Sequence, residues 1–250
     1  MNTVVRPRSR HKLTHEKPKH VVETTIIKKD EFENTGQGLL VVGGAKIKMF
    51  GAIKELRNDD LEPGTQFSSC DGPGEEVLTY PIQGSLLEED SEGRSILLRS
   101  GDLEYYVSPK PLTHNASNRG EHYRGIRIRM AFPRKHSLNQ TISRFVPLSQ
   151  IPETRVGTGT VTKLSGPGGA LQLFSGMKVS DIKLFGEASF PRFKDELLVY
   201  VLSGRGEFSV GDVSVSLGAQ DALLVKGGEF DVKVKSLESK KVRFMFFGVK

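Results

Sequence analysis

The chain has 250 residues, 36% of them hydrophobic and 26% charged, with 27 glycines, 12 prolines and one cysteine. This is an ordinary soluble composition with enough apolar residues for a core, and no run approaches the ~20 apolar residues of a membrane span. No apolar segment follows the first basic residues, which argues against a secretory signal, and the lone Cys70 excludes an internal disulfide and suits a cytoplasmic location.

Charge is distributed unevenly. Arg6, Arg8, Arg10, Lys12, Lys17 and Lys19 stand against Glu16 in residues 1–20, a net of +5 out of +6 for the whole chain. This segment has no apolar period, and Pro7 and Pro18 discourage a continuous helix. An arm of this kind suits an acidic partner, RNA or DNA above all, because each neutralised phosphate releases counterions. The alternative is a merely solvated terminus.

From Val21 the texture becomes that of strands. Val21–Ile27, Leu39–Val42 and Ile47–Ile53 precede Asp59-Asp60 and a turn at Pro63-Gly64. Val77–Ile82, Ser85–Glu88, Ser95–Leu98 and Leu103–Val107 follow as short runs separated by glycine or acidic turns. Arg124–Phe132 alternates, with Ile126, Ile128 and Met130 on one face and Arg127 and Arg129 on the other. Arg127 and Arg129 are therefore candidates for a second basic, nucleic-acid-binding surface, beside the plainer reading of a solvated sheet face. Pro133–Pro152 reads as a non-strand connector that contains His136. Eight further strands are expected between Gly157 and Phe247.

Two pieces recur. Strand-then-glycine at Val199–Gly204 mirrors Leu78–Gly84, and Leu217–Asp221 mirrors Leu98–Asp102, at offsets of 120 (204 minus 84) and 119 (221 minus 102). Near-constant offsets argue for duplication of one unit.

The stretch Asp71-Gly72-Pro73-Gly74-Glu75-Glu76-Val77-Leu78-Thr79-Tyr80, closed by Leu112-Thr113-His114-Asn115-Ala116, resembles the first barrel of the pirins, a family of two-cupin proteins. Pro133-Arg134-Lys135-His136 and Val146–Pro152 resemble the connector that leads into the second barrel of that family. The resemblance implies an all-β fold of two cupin (jelly-roll) β-barrels packed in tandem, with a basic N-terminal extension. The implied division is an arm at 1–20, a first barrel at 21–132, a connector at 133–154 and a second barrel at 155–250. In the family, two opening histidines, a closing histidine and a closing glutamate hold iron. The corresponding positions here read Gly72, Gly74, His114 and Ala116, so only His114 remains and neither metal nor cofactor is expected. A replacement site from Asp71, Glu75, Glu76 and His114 would suit a harder cation, against the reading of solvated acids beside a turn. Residues 155–250 contain neither histidine nor cysteine, Cys70 has no evident base partner, and the acidic run Glu88–Glu92 reads as a hairpin tip.

These features lead us to expect a non-enzymatic binding or structural module whose arm docks on RNA in a ribonucleoprotein. The alternatives are a metal-dependent dioxygenase of the quercetinase kind, as the resemblance implies, and a regulatory partner of other proteins.

Overall fold

The computed structural model describes residues 22–134, 136–237 and 240–249, with the backbone alone at Pro191. The basic arm and Lys135 lie outside these residues. Strands dominate what is described. The first part holds β1 (Glu23–Ile27), β2 (Glu33–Asn34), β3 (Gly38–Val42), β4 (Ile53–Leu61), β5 (Gln66–Asp71), β6 (Glu75–Gln83), β7 (Ser85–Asp90), β8 (Ser95–Arg99), β9 (Leu103–Val107), β10 (Leu112–Ser117), β11 (Tyr123–Ala131) and β12 (Ile142–Val146). The second holds β13 (Glu153–Val156), β14 (Gly159–Ser165), β15 (Lys178–Leu184), β16 (Glu187–Ser203), β17 (Gly206–Val210), β18 (Val213–Leu217), β19 (Ala222–Ser236) and β20 (Val242–Gly248).

The two halves repeat one sheet. The first runs β12-β9-β6-β11-β4-β3-β2, and the second runs β1-β19-β16-β20-β15-β14-β13, with β17 and β18 continuing beyond β19. In the first barrel a separate four-stranded sheet, β5-β10-β7-β8, forms the facing wall. The expected duplication is thus visible as matched strand order, and the all-β double barrel stands.

Two boundaries differ from those expected. Strand β1 precedes the first barrel but pairs antiparallel with β19 of the second, Ile27 opposite Ala222. Strand β12 lies inside the segment read as a non-strand connector, yet it pairs with β9 of the first barrel, Val146 opposite Leu103. The second barrel thus takes a strand from the chain's other half, whereas the first extends past its expected end at 132 to Val146. Local composition cannot show which sheet a short strand joins; where β1 meets β19, Ile27 is buried in the core that the barrels share.

Strand β4 is a further difference, because the strand expected at Ile47–Ile53 begins only at Ile53 and runs on through Asp59 and Asp60 to Leu61. Its alternation is sound nonetheless. Leu56 and Asn58 face the other barrel, whereas Arg57, Asp59 and Leu61 face the first barrel's lumen.

The barrels share one large apolar core. Leu78, Tyr80, Ile126, Ile128 and Met130 from the first barrel join Leu164, Leu198, Tyr200, Met245 and Phe247 from the second. Within it, polar groups are matched: the Tyr80 hydroxyl donates to Asp181 at 2.9 Å, and Asn58 Nδ2 donates to the Tyr200 hydroxyl at 2.9 Å. The Arg243 guanidinium closes on the same Asp181 carboxylate at 2.7 Å, so the buried charge has its counter-charge.

The two lumens differ in kind. The second is wholly apolar, filled by Ile182, Phe190, Val199, Phe244 and their neighbours. The first has only two small apolar clusters, Leu61/Leu86/Ala116/Tyr123 and Val77/Tyr106/Leu112, with charged side chains between them.

Candidate functional site

The charged lumen of the first barrel is built by strand alternation. On β10, Leu112, His114 and Ala116 point inward. Neighbouring strands add Asp71 from β5, Glu88 from β7, Glu104 and Tyr106 from β9, Asp59 from β4 and Arg127 from β11. All of these side chains are buried. Tyr123 reaches in from the start of β11, and Gly125 makes room for it, since a Cβ there would lie 2.1 Å from the Tyr123 hydroxyl.

Arg127 is the centre of this group. Its Nη2 donates to Asp71 Oδ2 at 2.9 Å and to the Tyr106 hydroxyl at 2.7 Å, and its Nη1 donates to Glu88 Oε1 at 3.2 Å. The Tyr106 hydroxyl donates in turn to Asp71 Oδ2. The Tyr106 ring stacks on the His114 imidazole, centroids 4.5 Å apart, and His114 Nε2 lies 3.5 Å from Asp71 Oδ2.

Placing a guanidinium among carboxylates in low dielectric divides their proton affinities. Burial pushes the Asp71 carboxyl up, but Arg127, the Tyr106 hydrogen bond, His114 and Arg129 outweigh it and hold it below the ordinary carboxylate range. Glu104 goes the other way. Burial first, and then the charge of Glu88, raise it well above the ordinary value despite Arg127 and Arg94. Burial together with the Arg127 charge lowers His114, which favours the neutral imidazole. Several polar atoms here have no hydrogen-bond partner among the described residues, including Glu88 Oε2, Glu104 Oε2, His114 Nε2 and the Tyr123 hydroxyl.

The donor set does not fit a divalent metal. His114 is the one imidazole in the lumen among the described residues, Ala116 presents a methyl, and Gly72 and Gly74 lie in the turn between β5 and β6. Asp71 and Glu88, the carboxylates nearest Arg127, already bind its guanidinium, a fixed cation that would repel a second one at contact distance. Among the described residues no three or more His, Cys, Asp or Glu side chains are grouped to hold a metal ion. The replacement site considered from the sequence is divided. Glu75 pairs with Lys54 at 2.8 Å, while Glu76 turns toward the other barrel and accepts the Phe174 and Ser175 amides at 2.6 and 2.7 Å.

Three expectations need correction. Arg127 does not form an outer basic surface: it is 3% exposed and neutralised by Asp71 and Glu88. Arg129 is half-buried and donates to Glu55, so it adds little to such a surface. The alternation in β11 is present, but the face opposite Ile126 and Ile128 is the lumen rather than solvent. Glu88 likewise is a buried lumen residue, not part of a solvated hairpin tip. The remaining candidates, Arg6 to Lys19, lie outside the described residues. Cys70 is exposed, and its thiol contacts the Asp71 carbonyl oxygen at 3.9 Å.

The structure therefore defines a two-barrel cupin whose first lumen is filled by an Arg–carboxylate–tyrosine network. No family model matches the chain. A pirin-like protein of Arabidopsis thaliana is 25% identical over 198 residues, which cover 74% of this chain and 64% of that protein, somewhat under two thirds of its length. Quercetin 2,3-dioxygenase from Acinetobacter baumannii superposes with a TM-score of 0.75 at 15% identity, covering 90% of this chain and 85% of that one. The Escherichia coli pirin YhhW in complex with nickel(II) superposes with a TM-score of 0.71 at 15% identity, covering 91% and 99%. Together these likenesses support assignment to the pirin/cupin family; the structural ones carry the fold alone.

Proposed function

We propose that this protein is a pirin-like bicupin without dioxygenase chemistry, acting in the cytosol as a binding or structural module. The observation that carries this reading is the Arg127 guanidinium bonded to Asp71 and Glu88 inside the first barrel. A fixed internal cation there serves the structural need for positive charge among buried carboxylates, and leaves no open ligand set for a catalytic metal. The quercetin dioxygenase named above is similar in fold, and that activity does not transfer to this donor set. Elemental analysis of purified full-length protein tests the reading directly. Less than one-tenth of an equivalent of iron or nickel after exposure to either metal is expected; a full equivalent that broadens or shifts the His114 ring resonances would overturn it.

The basic arm supplies the partner side of the proposal. Its net charge of +5 favours a polyanion, and RNA in a ribonucleoprotein is the partner we assign to it. Deleting residues 1–20 should weaken RNA binding and flatten its salt dependence, by about 0.7 in log–log slope for each single-strand phosphate that the arm neutralises. Unchanged binding after the deletion would reject RNA docking and leave a protein partner as the reading to pursue.

A further inference from the structure

The second barrel offers what the first has closed. Arg127 and Phe246 hold equivalent places, opposite Thr79 on β6 and opposite Val199 on β16 respectively. Where Arg127 plugs the first lumen with charge, Phe246 forms the floor of a cavity of about 400 Å³ at the mouth of the second. That volume lies within the range of small-molecule pockets. Its wall is apolar and aromatic: Ile182, Phe190, Phe193 and Phe246, with Phe193 and Phe190 edge-on to Phe246 at centroid distances of 5.2 and 5.0 Å.

The rim is of one sign. Lys163, Lys178, Arg192 and Lys194 line the cavity, and among the described residues no carboxylate does. Lys194 is paired with Glu229 at 3.1 Å. Lys163, Lys178 and Arg192 have no carboxylate within ion-pair distance among the described residues, in contrast to the paired cations of the first barrel. Lys163 and Ser180 face each other across β14 and β15, and Ser180 also faces Phe246 on β20, so the rim and the aromatic floor belong to one site.

We propose that the mouth of the second barrel binds a small organic anion with a flat aromatic body, an aryl carboxylate or sulfonate. The rings of Phe193 and Phe246 and the Ile182 side chain take the aromatic body. Lys163, Lys178 and Arg192 take the anion. Aromatic edges meeting a ring face, and cations meeting a carboxylate, are the pairings that favour such a ligand over a neutral or cationic one.

Fluorescence titration of the full chain with anilinonaphthalene sulfonate, and its displacement by naphthoate, tests the proposal. The expected result is saturable binding of one equivalent of the sulfonate, with competitive displacement. The combined variant Lys163→Gln, Lys178→Gln, Arg192→Gln should lower affinity at least about tenfold, roughly the effect of losing one charge-assisted hydrogen bond. Binding of phenylnaphthylamine, the neutral counterpart, should change less than about twofold in the same variant. Ser180→Trp should fill the cavity and abolish binding of both probes. The charge variant alters only surface side chains, so it decides the matter even if Ser180→Trp does not fold. Non-saturable binding, or an affinity for the sulfonate unchanged in the charge variant, would overturn the proposal.

Discussion

Asp102 and Asp221, 119 residues apart (221 minus 102), hold β12 and β1 in place by equivalent hydrogen bonds. Asp102 accepts the Arg99 amide and the Leu148 amide, both at 3.0 Å. Asp221 accepts the Gly218 amide at 2.9 Å and the Lys29 amide at 3.1 Å. Leu148 opens the 3₁₀ turn after β12, and Lys29 opens the 3₁₀ turn after β1. Each carboxylate therefore closes its own turn and caps the first free amide of the turn that follows β12 or β1. The repeat found in the sequence at these two aspartates marks a pair of docking points.

Substituting Asp221 by Ala should cost about 1 kcal/mol, within the range for a lost cap, and Asp102→Ala should cost a similar amount. The pH dependence has a definite sign. Burial raises the Asp221 carboxyl, but the bonds from Lys28, Gly218 and Lys29 outweigh it and hold it below the ordinary carboxylate value. A folded-state pKa below the unfolded one gives stability that is full above the unfolded value and is lost as pH falls through the folded one. Urea denaturation between pH 7 and pH 3 should show a shallower acid decline for Asp221→Asn than for the wild type; parallel declines would refute the assignment.

Arg127→Met should be among the most destabilising single substitutions in the chain. It leaves Asp71 and Glu88 buried without their cation, a defect that typically costs about 3–5 kcal/mol. Adding Asp71→Asn and Glu88→Gln to the same chain should recover part of the loss, because neutral amides no longer require the guanidinium. A single-variant loss below about 1 kcal/mol in urea would show that the network contributes little.

Glu104 gives the opposite pH response to Asp221. Its proton is held in the folded state well above the ordinary carboxylate range, through burial and then the Glu88 charge. The folded state thus binds more protons than the unfolded chain once pH exceeds the ordinary value, and stability falls as pH rises through that window. Glu104→Gln, which keeps the shape and stays neutral, should remove this decline. Melting temperatures measured at pH 5, 7 and 8 would show a smaller drop for the variant (an unchanged drop would place the raised group elsewhere).

Tyr80→Phe tests the contact between barrels. The variant removes one donor to Asp181 while the Arg243 pair remains, so a loss of about 1–3 kcal/mol is expected, the range for a hydrogen bond to a charged group. Asp181→Ala should cost more, because it leaves Arg243 and the Tyr80 hydroxyl facing an apolar core. Equal costs for the two would argue that Arg243 finds a new partner.

Most of the architecture is legible in the sequence because period-two alternation and glycine turns are local signals. Leu103–Val107, Gly206–Val210 and Val213–Leu217 fall where the pattern places them. What is not legible is non-local. Nothing in Glu-Thr-Thr-Ile-Ile states that it pairs with a strand nearly 200 residues away. The alternation of Arg127 with Ile126 and Ile128 is evident, yet a charged face reads as solvent until the opposing strands are seen to carry Asp71, Glu88 and Glu104 across the lumen. A signal is available: Glu104 sits in Leu-Glu-Tyr-Tyr-Val, a run too apolar for a solvated acid, and a buried acid requires a cation. The closing motif locates His114 in the lumen, whereas the role of Asp71 beside it, as a partner of Arg127 and Tyr106, depends on strands far from it in sequence.

The long-range pairing of β1 also bears on how the chain is made. Strand β1 precedes the other strands among the described residues, but its partner β19 emerges nearly 200 residues later. The second sheet can therefore close only after residues 222–226 have emerged, and until then β1 must wait with an open edge. Strand β12 meets β9 after fewer than 40 residues, so the first barrel can close while the ribosome is still working on the second. Separating the two barrels by cutting between them would leave the second sheet with eight of its nine strands and the part of the β19 edge that β1 covers exposed.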